Sequence, residues 1–82
     1  MNAPLLEQAK EAVRRSRDFV PSNGRHYRPD ELDQLGRLCA EAVKSCALAG
    51  TSIAKMRLLL WQEERAAYRA QLAALARKEV TR

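Results

Sequence analysis

Residues 45–56 read SCALAGTSIAKM, a glycine set among small and apolar residues. Three structures fit such a stretch: the turn of a helical hairpin, the turn of a DNA-reading helix-turn-helix, or the middle of one long helix approached closely by a neighbour. The surrounding residues weigh these through their spacing. Leu32, Leu35, Cys39, Ala42, Cys46, Ala49, Ile53, Met56 and Leu60 succeed one another at alternating three and four residues, which lines side chains along one helical face. The phase runs through Gly50 without a slip, where a turn would ordinarily reset it at 3.6 residues per turn. Phase therefore favours one continuous helix over about residues 30–79, against a cost of up to ~1 kcal/mol at Gly50 and the poor helix propensity of β-branched Thr51 and Ile53. The alternative is a break near Gly50 into a helical hairpin, since Gly50 is a natural helix stop and Thr51 or Ser52 a natural cap for the next helix.

Upstream, residues 3–20 place Leu6, Ala9, Val13, Ser16 and Val20 on one face and Glu7, Lys10, Glu11, Arg14, Arg15 and Asp18 on the other. That is a short amphipathic helix, with Glu11–Arg15 and Arg14–Asp18 spaced to form ion pairs. Pro21 stops it, Asn23-Gly24 tolerates positive φ, and residues 21–29 read as a loop. Pro29, Asp30 and Glu31 then suit the start of a second helix. Arg28 would be its cap, although a poor one, and Tyr27 is placed to staple onto Leu32.

Eighty-two residues make one domain, and a chain this short buries a small fraction of its surface, so further burial against a partner is expected. Its apolar residues lean on Ala and Leu, both strong helix formers, and only 5% are aromatic. The fold class is all-α, with a helical-bundle dimer expected. The longest uncharged run, Ser45 to Ala54, falls far short of the ~20 residues of a membrane span, so a cytoplasmic protein that does not enter a membrane is expected. Cys39 and Cys46, seven apart, would stand roughly 10 Å apart along a helix, too far for a disulfide. Both read as free, buried, small hydrophobes.

Beyond Leu60 the apolar face rotates. Leu58, Trp61, Tyr68, Leu72 and Leu75 share a stripe interrupted by Arg65, and residues 58–61, LLLW, are apolar all round, as where several helices meet. Arg77, Lys78 and Arg82 suit the negative end of a helix dipole.

Chemistry is hard to assemble from these residues. His26, the single histidine, sits in the loop with nothing spaced to form a relay or a metal set. Adjacent carboxylates such as Glu63-Glu64 point about 100° apart on a helix and do not converge on one ligand. No phosphate-binding glycine loop is present, so neither an enzyme nor a cofactor is expected. The net charge of +5 is spread in alternating blocks: residues 14–28 hold five arginines against Asp18, residues 30–49 four acids against two bases, and residues 55–82 seven bases against three acids. Such blocks resemble solvated faces more than one nucleic-acid stripe. A helix-turn-helix centred on Gly50 would offer Ser52, Ile53, Arg57 and Leu58 to base edges, a weak reading set.

The small residues at the middle of the central stripe invite a close helix. Leu32 and Leu60 lie fourteen residues either side of Cys46, so an antiparallel self-pairing about a twofold axis fits. The other occupant of that groove would be the first helix, through Leu6, Ala9 and Val13. The functional expectation is a small helical protein-interaction module: a regulator, anti-activator or dedicated chaperone that occupies a groove on a larger bacterial protein. Its interface would take the central stripe together with Trp61, Arg65, Tyr68 and Arg69. A basic nucleic-acid-binding regulator is the second expectation.

Overall fold

A computed structural model describes residues 3–80, with Glu79 and Val80 as backbone only; the expected contribution of Arg82 lies outside the described residues. Three helices make up the regular structure among them: α1 (Ala3–Asp18), α2 (Pro29–Leu48) and α3 (Ile53–Val80).

α1 stops two residues before the expected Val20. Val20 precedes Pro21, whose ring disfavours the helical conformation in the residue before it. Phe19 is instead stacked on Tyr27, centroids 5.8 Å apart, and the Tyr27 hydroxyl donates to the Phe19 carbonyl at 2.7 Å. Tyr27 is thus committed to closing the α1–α2 loop. Leu32, the residue expected to meet it as a staple, is 53% exposed.

α2 begins at Pro29, as its sequence signals require. Arg28 occupies the cap position with an extended backbone, and a guanidinium has no acceptor to offer the first turn. Glu31 reaches back instead: its carboxylate accepts the Arg28 N–H at 2.9 Å and the Ser22 N–H at 3.0 Å. Those two bonds to the charged form hold Glu31 below its ordinary pKa.

The helix does not continue through Gly50, and here phase misleads. Gly50 takes φ +75°, the left-handed conformation that ends helices. The Thr51 N–H donates to the Cys46 carbonyl at 2.9 Å and the Gly50 N–H to the Ala47 carbonyl at 3.1 Å, which together form a Schellman stop. Two residues on, the Ser52 hydroxyl accepts the Lys55 N–H at 3.2 Å and caps α3. The three-and-four spacing survives the turn because the residues on both sides of it face the same neighbour, α1. Nor is the result a tight hairpin: α1 packs chiefly on α2, while α3 makes smaller contacts with each.

The interior is small. Ala9, Ala12 and Val13 of α1 meet Ala42, Cys46 and Ala49 around the end of α2, and Met56 and Leu60 of α3. Leu5, Leu6, Ile53 and Leu59 pack around its edge. Ser16, also buried, turns its hydroxyl onto the Val13 carbonyl at 2.9 Å. The molecule measures 52 × 39 × 17 Å, so its thin dimension is about one and a half times the diameter of a helix with its side chains. Its radius of gyration, 16.8 Å, exceeds the roughly 12 Å of a compact domain of this length. Most of that excess is α3.

Candidate functional site

The central stripe expected as an interface divides in two. Ala42, Cys46, Ala49, Met56 and Leu60 are buried in the chain's own core, against α1. For these five, the occupant of the small-residue groove is the first helix and not a second copy. Small side chains on α2 let α1 approach closely, and Ala9 and Ala12 match them from the other side. Leu35 and Ile53 are half-buried, whereas Leu32 and Cys39 are exposed. Cys39 therefore departs from the expected buried pair; Cys46 is buried, and burial pushes its thiol up.

Trp61, Arg65, Tyr68 and Arg69 occupy a different surface. From Trp61 to Lys78 every residue of α3 is exposed, so this part of the helix forms an arm beyond the core. Six of its residues are alanines (66, 67, 70, 73, 74 and 76), and their high helix propensity supports the arm without packing. Along one side run Leu58, Trp61, Arg65, Tyr68, Leu72 and Leu75, spaced 3-4-3-4-3, which is the a/d seam of a coiled coil. The apolar members are open to solvent, Trp61 by 52% and Tyr68 by 61%. Residues 58–61 are therefore not the meeting point of several helices, since Leu60 turns inward while Leu58 and Trp61 turn out. The Arg65 guanidinium lies 5.0 Å from the centroid of the Trp61 ring, a cation–π contact one turn long. A shallow open depression runs beside it, lined by Trp61, Gln62, Arg65, Ala66 and Arg69.

Two ion pairs tie the base of the arm to α1. Lys10 Nζ meets Glu63 at 2.8 Å and Glu7 at 3.4 Å. Arg17 forks onto both oxygens of Glu64 at 2.8 and 3.0 Å, and also bonds Asp18. Their partners shift the charged groups in the expected directions. Glu63 and Glu7 raise Lys10; Asp18 and Glu64 raise Arg17; Arg17 lowers Asp18. The divergence of Glu63 and Glu64, which disqualifies them as a single ligand set, is what lets them reach two cations two turns apart on α1. Spacing along the chain held no sign of this long-range clamp. Within α1 the expected Glu11–Arg15 pair forms at 3.3 Å, while Asp18 takes Arg17 as its ion-pair partner.

His26 is exposed in the loop. Among the described residues no group of His, Cys, Asp or Glu side chains is placed to hold a metal ion, and no helix is long and apolar enough to cross a membrane. What the arrangement offers is a surface: an apolar seam, flanked by Gln62, Glu64, Arg69 and Gln71, on a helix clamped at one end. Compared with known proteins, the chain matches no family model, no curated protein and no solved structure.

Proposed function

We propose that the protein is a small helical interaction module, acting as a regulator, anti-activator or dedicated chaperone, and that it engages a larger protein through the apolar seam of the α3 arm. One observation carries this reading: a coiled-coil seam with two aromatic residues stands fully outside the core of its own chain. An exposed apolar stripe with a polar rim, here crossed by Arg65, is a common mark of an interaction site, and an amphipathic helix laid in a groove is a common way to use one. Photocross-linking tests it, with benzoylphenylalanine in place of Leu72 on the seam or of Val43, exposed on α2, in the native cell. Adducts with another protein are expected from position 72, not from 43, and are lost when Leu75→Glu is added. Equal adducts from both positions, or adducts indifferent to Leu75→Glu, contradict the reading.

A second reading draws support from the turn. A glycine stop followed by a capped helix is the connection a helix-turn-helix uses, and the first turns of α3 expose Lys55 and Arg57 beside Leu58. On this reading the protein binds duplex nucleic acid. Affinity would then fall steeply with salt as phosphate counterions are released, whereas an apolar seam has no such dependence.

A further inference from the structure

We infer that the arm's seam also pairs with the same seam of a second copy of this chain, antiparallel, about a twofold axis lying between Ala66 and Ala67. This rests on the reading of the arm as the interaction surface and names one occupant for it.

The seam is self-complementary. In an antiparallel pair each a residue of one helix layers against a d residue of the other. With the axis between residues 66 and 67, Leu58 layers on Leu75 of the second copy, Trp61 on Leu72, and Arg65 on Tyr68. The same three layers then repeat on the far side of the axis. No apolar member of the seam is left over, and the one charged member meets an aromatic ring, so the cation–π contact that Arg65 makes with Trp61 is extended to a second ring. A parallel, in-register pair would set Arg65 against Arg65, two like charges at the centre of the seam. The flanking residues do not set the direction: antiparallel pairing places Gln62 beside Arg69, Glu64 beside Gln71 and, at the ends, Arg57 beside Lys78, whereas parallel pairing would place Glu64 beside Arg69, so the direction rests on the Arg65 layer.

The rest of the fold leaves room for this. The buried residues of α3, Met56 and Leu60, lie on the far side of the helix from the seam at about 100° per residue, while Glu64, held by Arg17, brings α1 to one edge of the seam. Antiparallel pairing also sends the two α1–α2 bodies to opposite ends of the paired arms. Five large side chains, each about half exposed, bring together on the order of 1,000 Å² over both copies, close to the smallest area of a specific interface. A reversible dimer is the result, and a larger protein that used the seam would compete with it.

Sedimentation equilibrium over a wide concentration range, with disulfide mapping in a Cys39→Ser background, tests the inference. The mass should rise from one chain towards two, and Leu72→Glu or Tyr68→Glu should weaken association by about tenfold or more without loss of helicity, since neither residue belongs to the core. Leu58→Cys and Leu75→Cys variants, mixed and oxidised, should cross-link to each other. Leu58→Cys alone should not, because its two copies would stand roughly 25 Å apart along the pair. A chain that remains monomeric at high micromolar concentration overturns the dimer; the photoadducts from position 72 would still decide separately whether the seam binds another protein. Self-cross-linking of Leu58→Cys would overturn the antiparallel register.

Discussion

Arg17 grips Glu64 with two hydrogen bonds, from Nη1 at 2.8 Å and Nη2 at 3.0 Å, joining α1 to α3 one turn beyond Leu60. Leu60 is a core residue, and every residue after it on α3 through Lys78 is exposed. The fork therefore marks where α3 leaves the body of the protein. Both side chains retain access to water, so its worth is modest, up to about 1 kcal/mol for such a pair. A double-mutant cycle with Arg17→Ala and Glu64→Ala, followed by urea denaturation, should show a small positive coupling that shrinks with salt. A coupling of zero at low salt would show that the fork does not hold the arm.

Gly50→Ala discriminates by its sign. At φ +75° with nothing within 4 Å of an added Cβ, the substitution meets no clash, only an unfavourable backbone, costing about 1–2 kcal/mol. Were α2 and α3 one continuous helix, alanine would instead stabilise by up to ~1 kcal/mol. Thermal unfolding followed by circular dichroism reads the sign directly.

Leu60→Ala and Trp61→Ala, neighbours in sequence, should behave oppositely. Leu60 has no exposure, so its truncation should cost about 2–5 kcal/mol of folding stability, enough to threaten a core this small. Trp61 lies outside that core, and its truncation should change stability by no more than roughly 0.5 kcal/mol. Its fluorescence in dilute solution should resemble that of a solvated indole. A large stability loss at Trp61 would place the ring in a core that the arm does not have.

The loop should carry a measurable acid sensitivity. Glu31 is held below its ordinary value of 4.5 by the Arg28 and Ser22 amides. A depressed carboxyl stabilises the fold above its unfolded pKa, and that contribution disappears as pH falls through the lower folded value. Asp18, lowered by Arg17, acts in the same direction. Stability should accordingly decline on acidification below the ordinary carboxylate range, and Glu31→Gln should flatten part of that decline while lowering stability at neutral pH. An unchanged acid limb in Glu31→Gln would show that the loop contributes nothing to it.

Much of this fold could be read from local signals. The helical class, the proline start of α2, the amphipathic α1 and the capping chemistry at Gly50 and Ser52 are all written in short stretches of chain. What spacing alone could not give was which neighbour covers the stripe. A three-and-four repeat says that one face is apolar but is silent on whether a turn interrupts it, because Ala49 and Ile53 keep phase across a four-residue turn when α1 spans both sides. The clamp from Lys10 to Glu63 joins residues 53 apart, a separation at which periodicity carries no information. Trp61 shows the same limit: its composition suits either core or surface, and only the path of α3 past Leu60 decides.

That path gives the molecule two tiers of backbone protection. Around the α1 crossing, an amide can meet solvent only if packed side chains separate first. Past Glu64 no core packing shields the amides, which are held by the helix's own ladder, so their hydrogens should exchange at the pace of a lone alanine-rich helix fraying and rewinding from its end. The arm is thus an element whose order can be raised by whatever docks on it, and deuterium uptake along α3 would report that docking residue by residue, while α1 and the adjoining half of α2 served as the unmoving reference.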